Sequence, residues 1–176
     1  DKVSGLYLQR VLSSLNGKGF NCFPIEFKNG ENSKNLEVYS YLVENLAECG
    51  LDRNDLIVAL GGGVTGDMSG FAAATYLRGI KYIQIPTTVL AAVDSSVGGK
   101  TGLNLSSGKN LAGAFWQPSL VVCDTDTFDS LSTETFSDGV AEIIKYGMIK
   151  DKRLLDALAA SSIVTDDIVY SCCSIK

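Results

Sequence analysis

Residues 55–67 read DLIVALGGGVTGD, an apolar run that leads directly into three glycines. The unbroken run predicts a buried strand, and the small residues that follow Asp67 predict a helix packed closely on a sheet. The glycines fit G-x-G-x-x-G between a strand and a helix, where backbone N–H groups and the helix dipole favour a pyrophosphate. No acidic residue ends the next strand (QIP, 84–86), so Asp67 is the candidate for ribose or nicotinamide-side hydrogen bonds. The alternative is a tight turn that binds nothing, with Asp67 as an ordinary carboxylate of the first helical turn.

The neighbouring segments predict an α/β fold. Strands are expected at 22–27, 55–60, 81–85 and 120–123. A helix capped by Ser33 and stopped by Gly50 is expected after the first strand, and a second helix over 67–77. Beyond about residue 130 the pattern predicts helices alone, at 132–149, 151–161 and 165–176. This order indicates a Rossmann-like parallel sheet domain at 1–132, followed by the beginning of an all-helical second domain at 133–176.

Composition excludes several classes of protein. The 176 residues are 45% hydrophobic, carry a net charge of −5 and include no histidine. Such a chain can bury a core, and it has no basic cluster for nucleic acid or an anionic membrane. Without histidine it holds no complete Ser/His/Asp or Cys/His group and lacks the commonest zinc ligand. The five cysteines, with no C-x-x-C spacing, are expected to be reduced thiols of a cytoplasmic protein. No uncharged run reaches the ~18 residues of a membrane span.

A charge-poor middle carries two lysine loops. Residues 54–123 hold only seven charged side chains and 11 of the 18 glycines. The segment DSSVGGKTG (94–102) suggests a P-loop, but the first required glycine is Asp94, so a nucleoside-triphosphate hydrolase is disfavoured. A second glycine-lysine pair precedes Asn110. Lys100 and Lys109 suit an anionic ligand with phosphate or carboxylate groups, and the alternative is a solvated hairpin.

The segment SDGVAEIIKY (137–146) places Glu142 three residues before Lys145, on one helix face. Two interpretations stay open. The pair is an ordinary surface ion pair, or Glu142 is a carboxylate that ligates a metal ion at the mouth of the sheet.

Taken together, these segments resemble the 3-dehydroquinate synthase family. The matching stretches follow in the family's order: LIVALGGGVTGDMSGFAAATYLRG, IQIPTTVLAAVDSSVGGKTGLN, GKNLAGAFWQP, CDTDTF and DGVAEIIKYGMIKD. Upstream, NGENSK (29–34) is similar to the family's G-E-x-x-K motif. The resemblance covers residues 30–176 and is far more specific than a single glycine loop.

The resemblance implies a cytoplasmic lyase of the shikimate pathway, which serves chorismate and aromatic amino acid biosynthesis. The expected cofactors are NAD and a divalent metal ion, zinc or cobalt. The expected reaction converts the sugar phosphate 3-deoxy-D-arabino-heptulosonate 7-phosphate to 3-dehydroquinate and phosphate, by transient NAD oxidation, phosphate elimination, re-reduction and aldol ring closure. It also implies that this chain is the amino-terminal half of a homodimeric enzyme, with a preceding strand and two metal-binding histidines lying outside it. We therefore expect the chain alone to be inactive.

Site residues follow from the resemblance by position. NAD contacts are expected at Asn29, Gly30, Glu31, Asn32, Ser33, Lys34, Gly63, Val64, Thr65, Gly66, Asp67, Thr87, Thr88, Lys100, Lys109, Thr127, Phe128, Asp129 and Ser130. Ser130 stands where the family often has threonine, so the hydroxyl is kept. Catalytic and substrate contacts are expected at Arg78 (the phosphate end, within the subunit or across a dimer interface), Asp94, Lys100, Asn110, Lys145 and Lys176. Glu142 matches the metal-ligand glutamate.

Three other functions stay open. Another sugar-phosphate cyclase, of the deoxy-inosose or valiolone type, would usually depart from the segments SSVGGK (95–100) and KYG (145–147), which are kept here. A metal-dependent polyol dehydrogenase would consume NAD, whereas the synthase regenerates it. A non-catalytic NAD-binding module would bind NAD without turnover.

Overall fold

The computed structural model of this chain describes residues 2–161 and 163–176. The helices are α1 (Gln9–Asn16), α2 (Leu36–Glu48), α3 (Gly63–Thr75), α4 (Thr133–Ile149), α5 (Arg153–Ala160) and α6 (Asp166–Ile175). The strands are β1 (Leu56–Gly61), β2 (Lys81–Pro86), β3 (Lys100–Leu105), β4 (Gly108–Phe115) and β5 (Leu120–Val121). A short π-helical segment, Ala91–Ser95, lies between β2 and β3, and 3-10 turns are formed by Glu31–Ser33, Tyr76–Arg78 and Thr125–Ser130.

The predicted α/β fold is confirmed. Strands β1, β2 and β5 form a parallel sheet in that order, with Leu56 opposite Lys81 and Ile83 opposite Leu120. Helix α3 connects β1 to β2 and packs on both strands, as a parallel crossover requires. The three helices expected after residue 130 are present as α4, α5 and α6. Whether the domain boundary falls between residues 132 and 133 stays a prediction.

Two predictions in the amino-terminal part were wrong. Residues 22–27, all described, form no strand, because β1 has no strand on its outer edge in the described part of the chain. A short apolar run gains strand geometry only from a neighbour's hydrogen bonds. The cap of α2 is Asn35, whose side chain accepts the Val38 N–H at 2.9 Å, whereas Ser33 lies in the preceding 3-10 turn. Gly50 does follow the helix, at φ 71°, the left-handed conformation expected just past a helix end.

The glycine-rich loops also differ in detail from the prediction. Helix α3 starts at Gly63, four residues earlier than expected, because the glycines after β1 turn directly into helix. The carboxyl-terminal strand is limited to Leu120–Val121. The two lysine segments form the antiparallel hairpin β3–β4, with Lys100 in β3 and Lys109 in β4. A hairpin was the alternative to an anion-binding loop. Its β3 strand packs against α3 and is largely buried, whereas β4 is largely exposed to solvent.

The core consists of several apolar clusters. One apolar cluster joins α2 and α3 to β2 through Leu46, Ala72, Ala73, Tyr76, Ile80 and Tyr82. A second cluster joins the segment after β2, through Val89 and Val93, to Ile143 of α4 and Val169 of α6. All five cysteines are free thiols. No helix in residues 2–161 and 163–176 has both the length and the apolarity to cross a membrane.

Gly70 is the closest contact between α3 and its neighbours. A methyl group there would collide with Thr101 Cγ2 of β3 and lie 3.1 Å from the Tyr82 ring. We predict that Gly70→Ala lowers the free energy of unfolding by about 1–3 kcal/mol, although alanine is the better helix former. Urea denaturation measures this change. The control is Gly5→Ala, where nothing lies within 4 Å, and a Gly70→Ala protein as stable as that control would contradict the packing.

Candidate active site

The carboxyl end of β1 and the amino end of α3 form an open backbone surface. Gly62 precedes α3 and supplies no side-chain cap, so the first N–H groups of the helix are left for another partner. A Cβ on Gly62 would lie 3.2 Å from Thr88 Cγ2, and one on Gly63 would lie 3.0 Å from Ser95 Oγ. The loop thus runs close to the segment after β2, and a larger residue at 62 or 63 would require Thr88 or Ser95 to shift.

Two hydroxyl groups beside this loop are buried without a partner. Thr87 Oγ1 and Ser95 Oγ have no hydrogen-bond partner within the described part of the chain. Both residues line a cavity of about 1150 Å³ that also contacts the glycine loop. Buried polar atoms are normally satisfied, so these hydroxyls, with the uncapped helix end, fit a polar ligand such as a dinucleotide.

About half of the predicted site residues line the cavity. Those that line it are Asn29, Gly30, Glu31, Lys34, Gly63, Val64, Thr65, Asp67, Thr87, Thr88, Asp94 and Ser130. Those outside its lining are Asn32, Ser33, Gly66, Arg78, Lys100, Lys109, Asn110, Thr127, Phe128, Asp129, Glu142, Lys145 and Lys176. The ligand roles of both groups stay predictions.

Lys34 joins three separate segments at the cavity wall. Its ammonium group donates to Asp67 Oδ2 at 2.5 Å and to Asn110 Oδ1 at 2.6 Å. The lysine is 6% exposed, so the pair is largely removed from water. Burial raises the pKa of Asp67, while the Lys34 hydrogen bond and charge act to lower it. The predicted cofactor segment 29–34, the glycine loop and the β4 hairpin thus meet at one cation.

Asp94 is the centre of a second polar cluster. Its Oδ1 accepts hydrogen bonds from Tyr146 Oη and from Lys176 Nζ, both at 2.7 Å. Lys145 Nζ lies 4.0 Å from the same oxygen and 4.8 Å from the centre of the Tyr146 ring. Burial alone would raise the pKa of Asp94, but the hydrogen bonds from Lys176 and Tyr146 outweigh it and lower the pKa. Asp94 is thus held as a carboxylate at the cavity edge.

Glu142 forms an ion pair with Lys145, as its spacing in the sequence predicted. That pairing raises the pKa of Lys145. No group of three or more His, Cys, Asp or Glu side chains in residues 2–161 and 163–176 is arranged to hold a metal ion. The metal-ligand role of Glu142 stays a prediction.

Arg78 lies far from the glycine loop. It follows the end of α3 opposite Gly63, about 20 Å away for a helix of this length. Leu77 and Arg78 have φ values of 49° and 65°, and the Arg53 guanidinium donates to the Leu77 carbonyl at 2.8 Å. Arg78 is exposed. Within this chain, the structure does not bring Arg78 to the other predicted site residues.

Several other predicted contacts have structural partners. Thr127 Oγ1 donates to the Asp124 carbonyl at 2.7 Å, and Ser130 Oγ accepts from Tyr7 Oη at 2.9 Å. Both bonds stabilise the turn before α4. Lys100 and Lys109 are exposed on the hairpin, where their ammonium groups are accessible to an anion.

A family model described as 3-dehydroquinate synthase N-terminal matches residues 24–138. The chain belongs to the 3-dehydroquinate synthase family. It is 48% identical to the 3-dehydroquinate synthase of Clostridium kluyveri over 180 residues, which covers 99% of this chain and 50% of the relative. It is 54% identical to that of Prochlorococcus marinus strain AS9601 over 158 residues, or 90% of this chain and 44% of the relative. The chain thus spans about half the length of the curated relatives that it matches.

Solved structures support the same fold. ValA, a 2-epi-5-epi-valiolone synthase from Streptomyces hygroscopicus subsp. jinggangensis 5008 with NAD+ and Zn2+ bound, has a TM-score of 0.86 at 28% identity. That match covers 99% of this chain and 49% of ValA. A 2-deoxy-scyllo-inosose synthase complexed with carbaglucose-6-phosphate, NAD+ and Co2+ has a TM-score of 0.81 at 30% identity, with 98% and 51% covered. An iron-containing alcohol dehydrogenase, at 16% identity and a TM-score of 0.76, shares the fold.

Two polar residues of the site, Tyr146 and Ser95, were not predicted from the sequence of this member of the 3-dehydroquinate synthase family. Tyr146 lies four residues after Glu142, and that helical spacing could have placed it on the same face. Ser95 is adjacent to Asp94, but nothing in the sequence shows that its hydroxyl is left without a partner. Both were treated only as parts of longer motifs.

Removing the Tyr146 hydroxyl should change Asp94. We predict that Tyr146→Phe raises the pKa of Asp94 and lowers the free energy of unfolding at neutral pH by about 1 kcal/mol. Because the folded pKa of Asp94 is below its ordinary value of 3.8, the wild-type advantage is fully present above that pH. It is lost as the pH falls through the folded pKa. Carboxyl ¹³C NMR titration and urea denaturation across pH measure the two effects.

The matched control is Tyr76→Phe. Tyr76 is also buried and donates to the Leu51 carbonyl at 2.9 Å, away from Asp94. This control should lose similar stability at every pH and leave the Asp94 titration unchanged. Equal Asp94 pKa values in wild type and Tyr146→Phe would contradict the assigned hydrogen bond.

Proposed function

We propose that this chain is the cofactor-holding part of a 3-dehydroquinate synthase. The proposed reaction converts 3-deoxy-D-arabino-heptulosonate 7-phosphate to 3-dehydroquinate and phosphate. The observation that carries the proposal is the convergence of the glycine loop, two unpartnered hydroxyls and the Lys34–Asp67 pair at one cavity. We also propose a cytoplasmic homodimer as the complete enzyme.

The glycine loop and its neighbours suit the dinucleotide NAD. The N–H groups at the start of α3 would hold its pyrophosphate, with Thr87, Thr88 and Ser95 around it. Asp67 and Glu31 line the same cavity and offer carboxylates to ribose hydroxyls. When bound, NAD takes a hydride from a ring carbon of the substrate and later returns it.

The Asp94 cluster suits the substrate end of the site. Two bonds to Oδ1 orient the carboxylate, so its Oδ2 can accept a hydrogen bond from a ring hydroxyl. The Lys145 and Lys176 ammonium groups stand beside it and suit an anionic sugar phosphate. A ketone next to a C–H bond makes that proton acidic. Elimination would then break the C–O bond to phosphate and form a C=C bond, with the proton passing to solvent. Here the lysines compensate the charge of the departing phosphate.

Glu142 is proposed as the ligand that this chain contributes to a divalent metal ion, zinc or cobalt. The relatives ValA and 2-deoxy-scyllo-inosose synthase, which bind Zn2+ and Co2+ respectively, support the choice of metal. Lys145 forms an ion pair with the Glu142 carboxylate.

Identity favours the synthase over the other cyclases. The curated 3-dehydroquinate synthases share 44–54% identity with this chain, whereas the two solved cyclases named above share 28% and 30%. Dehydrogenases of the same fold, at 16% identity, support the fold alone.

The first test of the proposal is NAD binding. We predict that the 176-residue chain binds NAD in a calorimetric titration, and that Gly62→Val weakens the affinity by roughly tenfold or more, because the added side chain crowds Thr88 at the loop. Asn45→Ala, which removes an exposed hydrogen bond to the Tyr41 carbonyl on α2, is the control with unchanged affinity. Absence of NAD binding by the wild-type chain would refute the cofactor role.

The second test is turnover. The chain is co-expressed with the remaining half of the Clostridium kluyveri relative, and phosphate release from 3-deoxy-D-arabino-heptulosonate 7-phosphate is measured. We expect release that depends on both halves, without net reduction of NAD. Net NADH accumulation would instead identify a dehydrogenase.

A further inference from the structure

Asn104 makes three hydrogen bonds, each to a different residue of the predicted site. Its side-chain Nδ2 donates to Glu31 Oε1 at 2.7 Å. Its Oδ1 accepts the backbone N–H of Asn110 at 2.8 Å. Its own backbone N–H donates to the Lys34 carbonyl at 2.9 Å. Asn104 itself is absent from the residues that the motifs assigned to any ligand.

The hairpin geometry explains why Asn104 is in this position. The pairing of β3 with β4 passes from Leu103–Ala112 to Leu105–Gly108. Asn104 alone therefore stands opposite residues 109–111. This irregularity interrupts the regular ladder, and such bulges re-aim side chains near sites.

Asn110 is the residue that the irregularity re-aims. It has φ 56°, a left-handed conformation that asparagine tolerates better than most residues but that still requires compensation. The side-chain oxygen Oδ1 of Asn104 accepts the Asn110 N–H, which has no partner in the regular strand pairing. The Asn110 side chain then accepts from Lys34 Nζ. One amide group therefore sets the direction of Asn110.

We propose that Asn104 is a positioning residue for the cofactor and substrate site. Its amide connects Glu31, on the cofactor segment, to Asn110, on the hairpin. It therefore fixes the position of these two segments relative to each other around Lys34. Asn104 touches neither ligand and acts through these residues. The proposal rests on the proposed function, because Glu31 and Asn110 receive their ligand roles from it.

Two substitutions separate the two hydrogen bonds of the Asn104 amide, the Nδ2 bond to Glu31 and the Oδ1 bond from the Asn110 N–H. Asn104→Asp keeps an oxygen for the Asn110 N–H but places a second carboxylate against Glu31. Asn104→Ala removes both side-chain hydrogen bonds. We expect NAD affinity in calorimetric titration to fall roughly 5- to 50-fold in each variant. The urea midpoint should stay close to wild type in Asn104→Asp, while Asn104→Ala is also destabilised.

A compensating change tests the direct contact. In Glu31→Gln/Asn104→Asp, the new glutamine amide donates to the aspartate, so the double variant should lose less NAD affinity than the two single variants lose together. A residue that only stabilised the hairpin would lower the urea midpoint, leave NAD affinity unchanged and give no such recovery. Asn45→Ala is the matched control and should leave both readouts unchanged.

Amide NMR of the unliganded chain separates the failure of this inference from the failure of the proposed function. Asn104→Asp should shift the amide resonances of residues 31–34, and Asn104→Ala should also shift that of Asn110, with or without cofactor. If these resonances move while the wild-type chain binds no NAD, the coupling stands and its role in NAD binding is overturned with the proposed function. If they stay in place, or if NAD affinity is unchanged in both variants, the positioning role is overturned.

Discussion

The buried pair of Lys34 and Asp67 is the interaction on which the arrangement of the site depends. Charges removed from water need a partner at close range, since a buried charge left alone destabilises a protein by about 3–5 kcal/mol. Lys34 lies on the segment before α2, and Asp67 lies in the first turns of α3. The pair therefore fixes how the chain before the sheet meets the helix after β1. Asn110 completes the coordination of the ammonium group from the hairpin, so three distant segments close around one cation.

Much of the fold could be predicted because its signals are local. The apolar run at 56–60, followed by glycines, predicts a strand and a loop from residues adjacent in sequence. Apolar periodicity likewise predicts α4, α5 and α6. The errors concern features that depend on distant partners. Residues 22–27 have strand composition, but no neighbouring strand in the described part of the chain pairs with them. Asn35 replaces Ser33 as the cap because the chain turns at Glu31–Ser33 so that Lys34 enters the site.

The site could be predicted in part, for a related reason. A family resemblance supplies candidate residues by position, and the structure shows that three of them, Lys34, Asp67 and Asn110, contact one another. Tyr146 and Asn104 were missed because their hydrogen bonds span 52 and 73 residues, and no local motif marks such bonds. Arg78 shows the opposite limit. Its position matches the family pattern, but α3 places it at the opposite end from the glycine loop of its own chain.

The pKa values of the two aspartates of the site, Asp67 and Asp94, are shifted in opposite directions, and this difference suits them to different tasks. Burial dominates at Asp67 and raises its pKa, so its ionised form weakens the fold, and protonation relieves that effect as the pH falls. Hydrogen bonds and lysine charges dominate at Asp94 and lower its pKa, so its ionised form stabilises the fold until the pH drops below its ordinary range. Asp94 is therefore suited to accept a hydrogen bond from a substrate as a permanent carboxylate. Asp67, which forms an ion pair with Lys34, is the carboxylate whose pKa burial raises.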